Sequence, residues 1–213
     1  GSFSIYRDQY LSDQRDSDAL DRYEDTRENL AQMVIQYDRI LGAGHHLTLG
    51  LDTLAQQMVS DRLAEGEGQR QRLALYVQDI WELIDGIPEL TLVPGARLDL
   101  DTTFGINPTP KLSLRYDPYE HVAIRTSYGW GYRAPAFKEL LLLFENPSAG
   151  YVVEGNPELV PESSRSLQMG AEFDATDGFW FSVNGFHNRC HSFDVLKVRG
   201  QTSPTNKGSL GIG

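Results

Sequence analysis

The sequence predicts an all-β fold, an antiparallel up-and-down β-barrel that crosses a membrane. Three features carry this reading: apolar residues recur with a period of two, the opposite faces of the same stretches hold charges in mid-strand, and tight turns alternate with longer polar connections. Val122, Ile124, Thr126, Tyr128, Trp130 and Tyr132 alternate with His121, Ala123, Arg125, Ser127, Gly129 and Gly131. Strict alternation over a dozen residues is the signature of a strand with two unlike faces. The other faces carry Arg97, Asp99, Arg115, Arg125, Glu172 and Asn184, which suit a water-filled lumen.

About ten strands are expected, the first over 2–10. The second, 30–41, follows the weak alternation from Ala31 to Tyr37, and the third, 46–58, follows Leu47, Leu49 and Leu51. The fourth and fifth, 71–83 and 89–101, rest on Leu73 to Val77 and Leu90 to Leu100. Leu112, Leu114 and Tyr116 place the sixth at 109–117, and the stripe described above places the seventh at 121–132. Leu167, Met169, Ala171 and Phe173 define 163–175, while Phe179, Phe181 and Val183 define 178–190. A tenth strand, 205–213, is Gly-rich and has little apolar face. Several of these exceed the usual strand length of about 5–6 residues and match the roughly 9–11 needed to cross a bilayer at a tilt.

The connections alternate. Leu41-Gly42-Ala43-Gly44, Asp85-Gly86-Ile87-Pro88, Asp117-Pro118-Tyr119-Glu120 and Ala175-Thr176-Asp177-Gly178 are tight turns. Between them lie long polar stretches at 11–29, 59–70, 133–162 and 191–204, with 102–108 of intermediate length. One end of the sheet therefore has turns and the other has loops, the asymmetry of outer-membrane barrels. Trp81, Tyr128, Trp130, Tyr132, Phe179 and Trp180 sit near strand ends, as an interfacial girdle would.

Composition narrows the function classes. The 213 residues carry a formal net charge of −11, which excludes a general nucleic-acid surface. No apolar run approaches the roughly 18 residues of a spanning helix. A single cysteine, Cys190, rules out an internal disulfide framework. Two alternatives stay open on pattern alone: a ten-strand barrel closed as a passive pore, and a soluble β-sheet binding module with a dry apolar interior.

One segment adds a motif. It reads Tyr132-Arg133-Ala134-Pro135, then Lys138-Glu139-Leu140, then Gly155-Asn156-Pro157-Glu158-Leu159-Val160-Pro161-Glu162-Ser163. This resembles the TonB-dependent outer-membrane receptors, in particular the ferric-siderophore and colicin receptor branch. Tyr76-Val77-Gln78-Asp79, Pro94-Gly95-Ala96-Arg97-Leu98-Asp99 and Pro110-Lys111-Leu112-Ser113-Leu114-Arg115-Tyr116 resemble further strands of that family, in its order. The resemblance is good from about residue 70 to 190.

The resemblance implies a bacterial outer-membrane location and a transporter rather than an enzyme, with no cofactor. It also implies a ferric siderophore or similar large nutrient as ligand, and contact with outer-membrane lipid. Ten strands would fill less than half of a 22-stranded transporter barrel, so residues 1–213 are expected to be a partial barrel. No plug domain or TonB box is visible. TonB would act only through a plug absent here, and the chain alone is expected not to support active uptake. The start at Gly1-Ser2-Phe3-Ser4-Ile5-Tyr6, which lacks a leader pattern, is expected to lie mid-barrel.

Candidate ligand contacts are Arg133 and Lys138 for anionic groups, with Tyr132, Phe137 and Tyr151 as stacking surfaces. Pro135, Gly155, Asn156 and Pro157 read as loop architecture, and Phe137 to Phe144 as a short helix. Residues 136–155 contain no histidine, which disfavours haem. The acidic stretch 11–29 reads as a solvated face. His187 and His191 share a strand face from which Cys190 points away, so no metal site is expected, and His45-His46 reads as turn filler.

Overall fold

The computed structural model describes residues 1–14, 22–42, 44–146, 151–175, 178–191 and 197–200. In chain order the elements are β1 (Ser2–Gln14), β2 (Arg22–Gly42), β3 (His45–Ser60), β4 (Glu67–Ile84), β5 (Glu89–Asp101), β6 (Gly105–Tyr119) and β7 (Val122–Arg133). Next come α1 (Phe137–Leu141), β8 (Leu143–Asn146), β9 (Tyr151–Glu154), β10 (Glu162–Ala175), β11 (Phe179–His191) and β12 (Lys197–Gly200). Nine strands form one antiparallel sheet in the order β1-β2-β3-β4-β5-β6-β7-β10-β11. A second sheet, β12-β9-β8, belongs to the loop side.

The sheet is a single layer with two unlike faces, and the register shows which residues share each. Ile35, Leu51, Leu75 and Leu98 lie side by side across β2 to β5, as do Leu92, Leu114, Thr126 and Met169 across β5 to β10. These residues belong to the apolar face, where Leu73, Leu75 and Val77 remain 37%, 48% and 42% exposed. On the opposite face, Val34, Asp52, Ala74 and Asp99 form a neighbouring row, and there Ala74 and Asp99 are 0% and 3% exposed. The sheet therefore curves with its polar face inward and its apolar face outward. Among the described residues no second layer covers the apolar face, so the soluble module with a dry interior does not describe this chain. Among the described residues the barrel is also not closed: β1 and β11 end the sheet and do not pair with each other.

The strands run longer than the apolar pattern implied. The stretch 11–29, read as a loop, is largely the β1–β2 hairpin, which pairs from Ser2 with Val34 up to Gln14 with Arg22. The stretch 59–70 shrinks to a link between Ser60 and Glu67, and 102–108 to one between Asp101 and Gly105. These extensions carry no apolar stripe because they project beyond the membrane band. Polar cross-strand contacts hold them instead: Arg7 Nε donates to Asn29 (2.8 Å), Gln56 to Glu28 (2.6 Å), and the Thr26 and Ser60 hydroxyls meet at 2.6 Å. Among the described residues, loop asymmetry therefore rests mainly on one long connection, between β7 and β10. β8, β9 and β12 fall within stretches read as loops, and α1 is shorter than Phe137 to Phe144. The expected tenth strand, 205–213, lies outside the described residues.

At the turn end, His45 opens β3 and does more than fill a turn. Its Nδ1 lies 3.0 Å from Asp79 Oδ2, and its ring meets Trp81 edge-on at 5.6 Å. Gly44 precedes it with φ +76°, where a β-carbon would come within 2.9 Å of the Glu82 carbonyl oxygen.

Candidate ligand-binding loop and inner wall

The connection from β7 to β10 folds back over the inner wall. Phe137, at the start of α1, is 4% exposed and packs with Met58, Leu63 and Leu141. Gly68 gives the ring its place: a β-carbon there would lie 2.7 Å from Phe137 Cδ1. The Arg70 guanidinium stacks over the same ring at 5.4 Å, donates from Nη1 to the Pro135 carbonyl (2.8 Å) and from Nη2 to Gln56 Oε1 (2.9 Å). Ala64 N–H donates to the Leu141 carbonyl (2.8 Å) and Leu143 N–H to the Arg62 carbonyl (2.7 Å), tying the β3–β4 link to the loop.

A second set of contacts closes the loop on itself. Arg133 donates to Glu139 (2.8 Å) and to Glu162 (2.9 Å), bridging the end of β7, helix α1 and the start of β10. Glu139 also accepts the Ala136 N–H at 2.7 Å, one half of a capping box that alanine cannot return. Asn156 N–H donates to the Glu139 carbonyl (2.9 Å), and Asn156 Oδ1 accepts from Glu158 N–H (3.1 Å), turning the chain before Pro157 leads it toward β10. Gly155 N–H donates to the Leu142 carbonyl at 2.6 Å. A β-carbon on Gly155 would lie 2.7 Å from Leu140 C and O and from Leu142 N, all backbone atoms that cannot move aside alone. Gly155→Val is therefore expected to cost about 1–3 kcal/mol of loop stability through overpacking. Faster amide exchange at Gly155 and Asn156 would register it, and unchanged exchange would count against this packing.

The hydrogen bond from Arg133, followed by that from Ala136 N–H, holds the Glu139 carboxyl below its ordinary value of 4.5. A depressed folded value means the contribution is complete above the ordinary carboxylate range and is lost as pH falls through the lower folded value. Exchange at Ala136 is expected to quicken as pH falls through that lowered value. Glu139→Gln should remove that pH dependence; if it persists in the variant, another group governs it.

Beneath the loop lies a charged inner wall. Arg97 Nη2 is 2.8 Å from Asp52, and Arg97 Nε is 3.0 Å from Asp99. Arg72 approaches Asp99 at 3.5 Å and Asp52 at 3.8 Å, while Arg70 Nε is 4.0 Å from Asp101. Asp101 Oδ1 accepts the Thr103 and Phe104 N–H groups that turn β5 into β6, whereas its Oδ2 is buried and lacks a hydrogen bond, as does the Tyr132 hydroxyl. Tyr76 lies across Gly50 and donates to Gln36 at 3.0 Å.

The ligand candidates separate on this geometry. Lys138 is exposed on α1 and Arg133 is half exposed with both terminal nitrogens engaged. The Tyr132 hydroxyl is buried within electrostatic reach of Asp101 and Arg70. Tyr151 opens β9, and its side chain lies outside the described atoms. Phe137 is a correction: its ring is part of the packed seam between loop and wall and offers no stacking surface. Arg70, Asp52 and Asp101 were missed as members of this cluster. The available signal was two arginines two residues apart, Arg70 and Arg72, opposite two aspartates with the same spacing, Asp99 and Asp101.

A single-layer curved sheet with an apolar outer face and a loop folded over a charged lumen has counterparts among known proteins. Residues 1–206 match the family of TonB dependent receptor-like β-barrels. The chain belongs to the TonB-dependent receptors. Among relatives of this receptor chain, the ferric enterobactin receptor PirA of Pseudomonas aeruginosa is 31% identical over 146 residues, 62% of the chain and 19% of PirA. The iron-regulated outer membrane virulence protein of Vibrio cholerae is 26% identical over 113 residues, 53% of the chain and 17% of that protein. The crystal structure of a PfeA mutant, the ferric enterobactin receptor of P. aeruginosa, superposes with a TM-score of 0.70 at 21% identity. That match covers 88% of the chain and 31% of PfeA. The TonB-dependent receptor chain thus spans about a fifth of the relatives it matches in sequence and about a third of that solved neighbour. Its location is the outer membrane, and its family transports rather than catalyses.

Proposed function

We propose that this chain is part of the barrel of a receptor that takes up a ferric siderophore. The observation that carries this reading is the 31% identity to a ferric enterobactin receptor across 146 residues, on top of the family match. In this reading the loop between β7 and β10 presents Lys138 and Arg133 to an anionic ferric chelate, with Tyr132 and Tyr151 beside them. Phe137 and Arg70 hold that loop in place from below. Pro135, Gly155, Asn156 and Pro157 shape it. Energy for uptake would arrive from TonB acting through a plug domain.

Other relatives are a vitamin B12 transporter and haemoglobin-binding proteins, so the ligand class is open to direct test. The protein in detergent would be titrated with ferric enterobactin, cyanocobalamin and haemin while tryptophan fluorescence is followed. Saturable quenching by the ferric chelate alone supports the proposal, and Lys138→Gln should weaken it by roughly 3- to 10-fold as one exposed charge contact is lost. Saturable binding of haemin or cobalamin with none of the chelate would overturn it.

A further inference from the structure

On the outer face, the loop-side boundary of the apolar band carries two arginines that no described carboxylate neutralises. Arg165 in β10 is flanked in register by Trp130 of β7 on one side and Arg189 of β11 on the other. These three continue the outward row above Tyr128, Leu167 and His187. The Arg165 guanidinium lies over the Trp130 ring at 4.9 Å, and Trp130 Nε1 donates to the Tyr128 hydroxyl at 3.3 Å, so the ring and the cation are both fixed on this face. Arg165, Arg189 and His187 are all exposed.

Like charges directly opposite on neighbouring strands repel, and an antiparallel pair holds them only about 5 Å apart. Elsewhere on the same end the chain deals with its outward cations: Arg27 pairs with Asp25 at 2.8 Å, and Arg7 donates to Asn29. Among the described residues, no carboxylate pairs with Arg165 or Arg189. Their depth is also distinctive. From Ala175, at the turn end of β10, to Arg165 is ten steps of about 3.4 Å. At a tilt of about 40° this spans roughly 26 Å of height, against an apolar band of about 25 Å. The arginine pair therefore stands about one apolar-band height from the turn end, beside an aromatic of the kind enriched at the headgroup level.

We infer that Arg165 and Arg189, backed by Trp130, form a binding site for the phosphate group of an anionic membrane lipid on the loop side of the barrel. A phosphate between two guanidinium groups would receive forked hydrogen bonds from both and remove their mutual repulsion. The acyl chains would then lie along Leu167, Tyr128 and Met169. A phosphate held at the lipid boundary by this pair would also anchor β11 at its outer end.

Native mass spectrometry of the protein in zwitterionic micelles, offered phosphatidylglycerol or phosphatidylcholine of equal chain length, tests the site. Wild type is expected to retain phosphatidylglycerol preferentially. R165Q/R189Q should lose that preference by roughly 20-fold, R165K/R189K should keep most of it, and Arg7→Gln should not change it. Equal retention of both lipids by wild type, or an unchanged preference in R165Q/R189Q, would overturn the inference. So would displacement of the lipid by equimolar inorganic phosphate, which would make this a site for free phosphate. Should the double glutamine variant fail to fold, quenching of wild-type and W130F fluorescence by brominated phosphatidylglycerol decides. A Trp130-specific signal absent with brominated phosphatidylcholine supports the site, and identical quenching by both lipids refutes it.

Discussion

Arg70→Ala is expected to release the β7–β10 loop from the inner wall while leaving the sheet paired. One guanidinium, with 12% side-chain exposure, serves four neighbours: the Pro135 carbonyl, Gln56, Asp101 and the Phe137 ring. Removing it takes the cation at 4.0 Å from a buried carboxylate oxygen and the donor from a carbonyl. Hydrogen bonds to charged groups contribute about 1.5–3 kcal/mol each, and orphaned buried groups add their desolvation cost. A local loss of about 3 kcal/mol is therefore expected, enough to populate a detached loop. Hydrogen exchange provides the measurement: protection at Ala64, Leu143, Gly155 and Asn156 should fall roughly 100-fold or more, while the β3–β5 ladder around Asp52 and Ala74 should hardly change. Arg70→Lys should recover little, because an ammonium cannot reach two acceptors in a plane and stack on a ring. If the loop amides exchange as in wild type, the seam is held by Phe137 and Leu63 alone and Arg70 is not its anchor.

Asp99→Ala is expected to act on the wall rather than the loop. Asp99 is 3% exposed, accepts from Arg97 and lies 3.5 Å from Arg72. Deleting one member of a buried ion network costs about 3–5 kcal/mol, because its partners stay charged and desolvated. Asp52 still faces both arginines, so the lower part of that range is expected. Urea unfolding in lipid vesicles should show the loss as a lower midpoint with an unchanged slope. The Asp99→Ala, Arg97→Ala double variant should be less destabilised than the sum of its singles, since removing both charges leaves less uncompensated. Strict additivity would mean that the pair is not coupled.

The stripe from Val122 to Trp130 and the row Leu112, Leu114, Tyr116 were legible because lipid on one side and water on the other force a period of two. The polar upper parts of β1, β2 and β4 were not legible. Outside the membrane both faces are wet, alternation vanishes, and pairing rests on backbone hydrogen bonds and contacts such as Thr26 with Ser60. Phe137 was misread for a related reason. An aromatic in a polar loop looks exposed until Gly68, from a strand 69 residues earlier, is seen to make room for it.

By itself, then, the sequence determined the class of fold, the faces of the membrane strands and the family, because each is written in local periodicity or in contiguous motifs. The tertiary structure decided which charges meet and what the loop rests on. Arg70 and Pro135, or Arg97 and Asp52, become neighbours only through the accumulated register of several strand pairs, and register is a property of the whole sheet. The same holds for Arg165 and Arg189: each is unremarked on its own strand, and only their pairing sets two cations side by side at the membrane boundary.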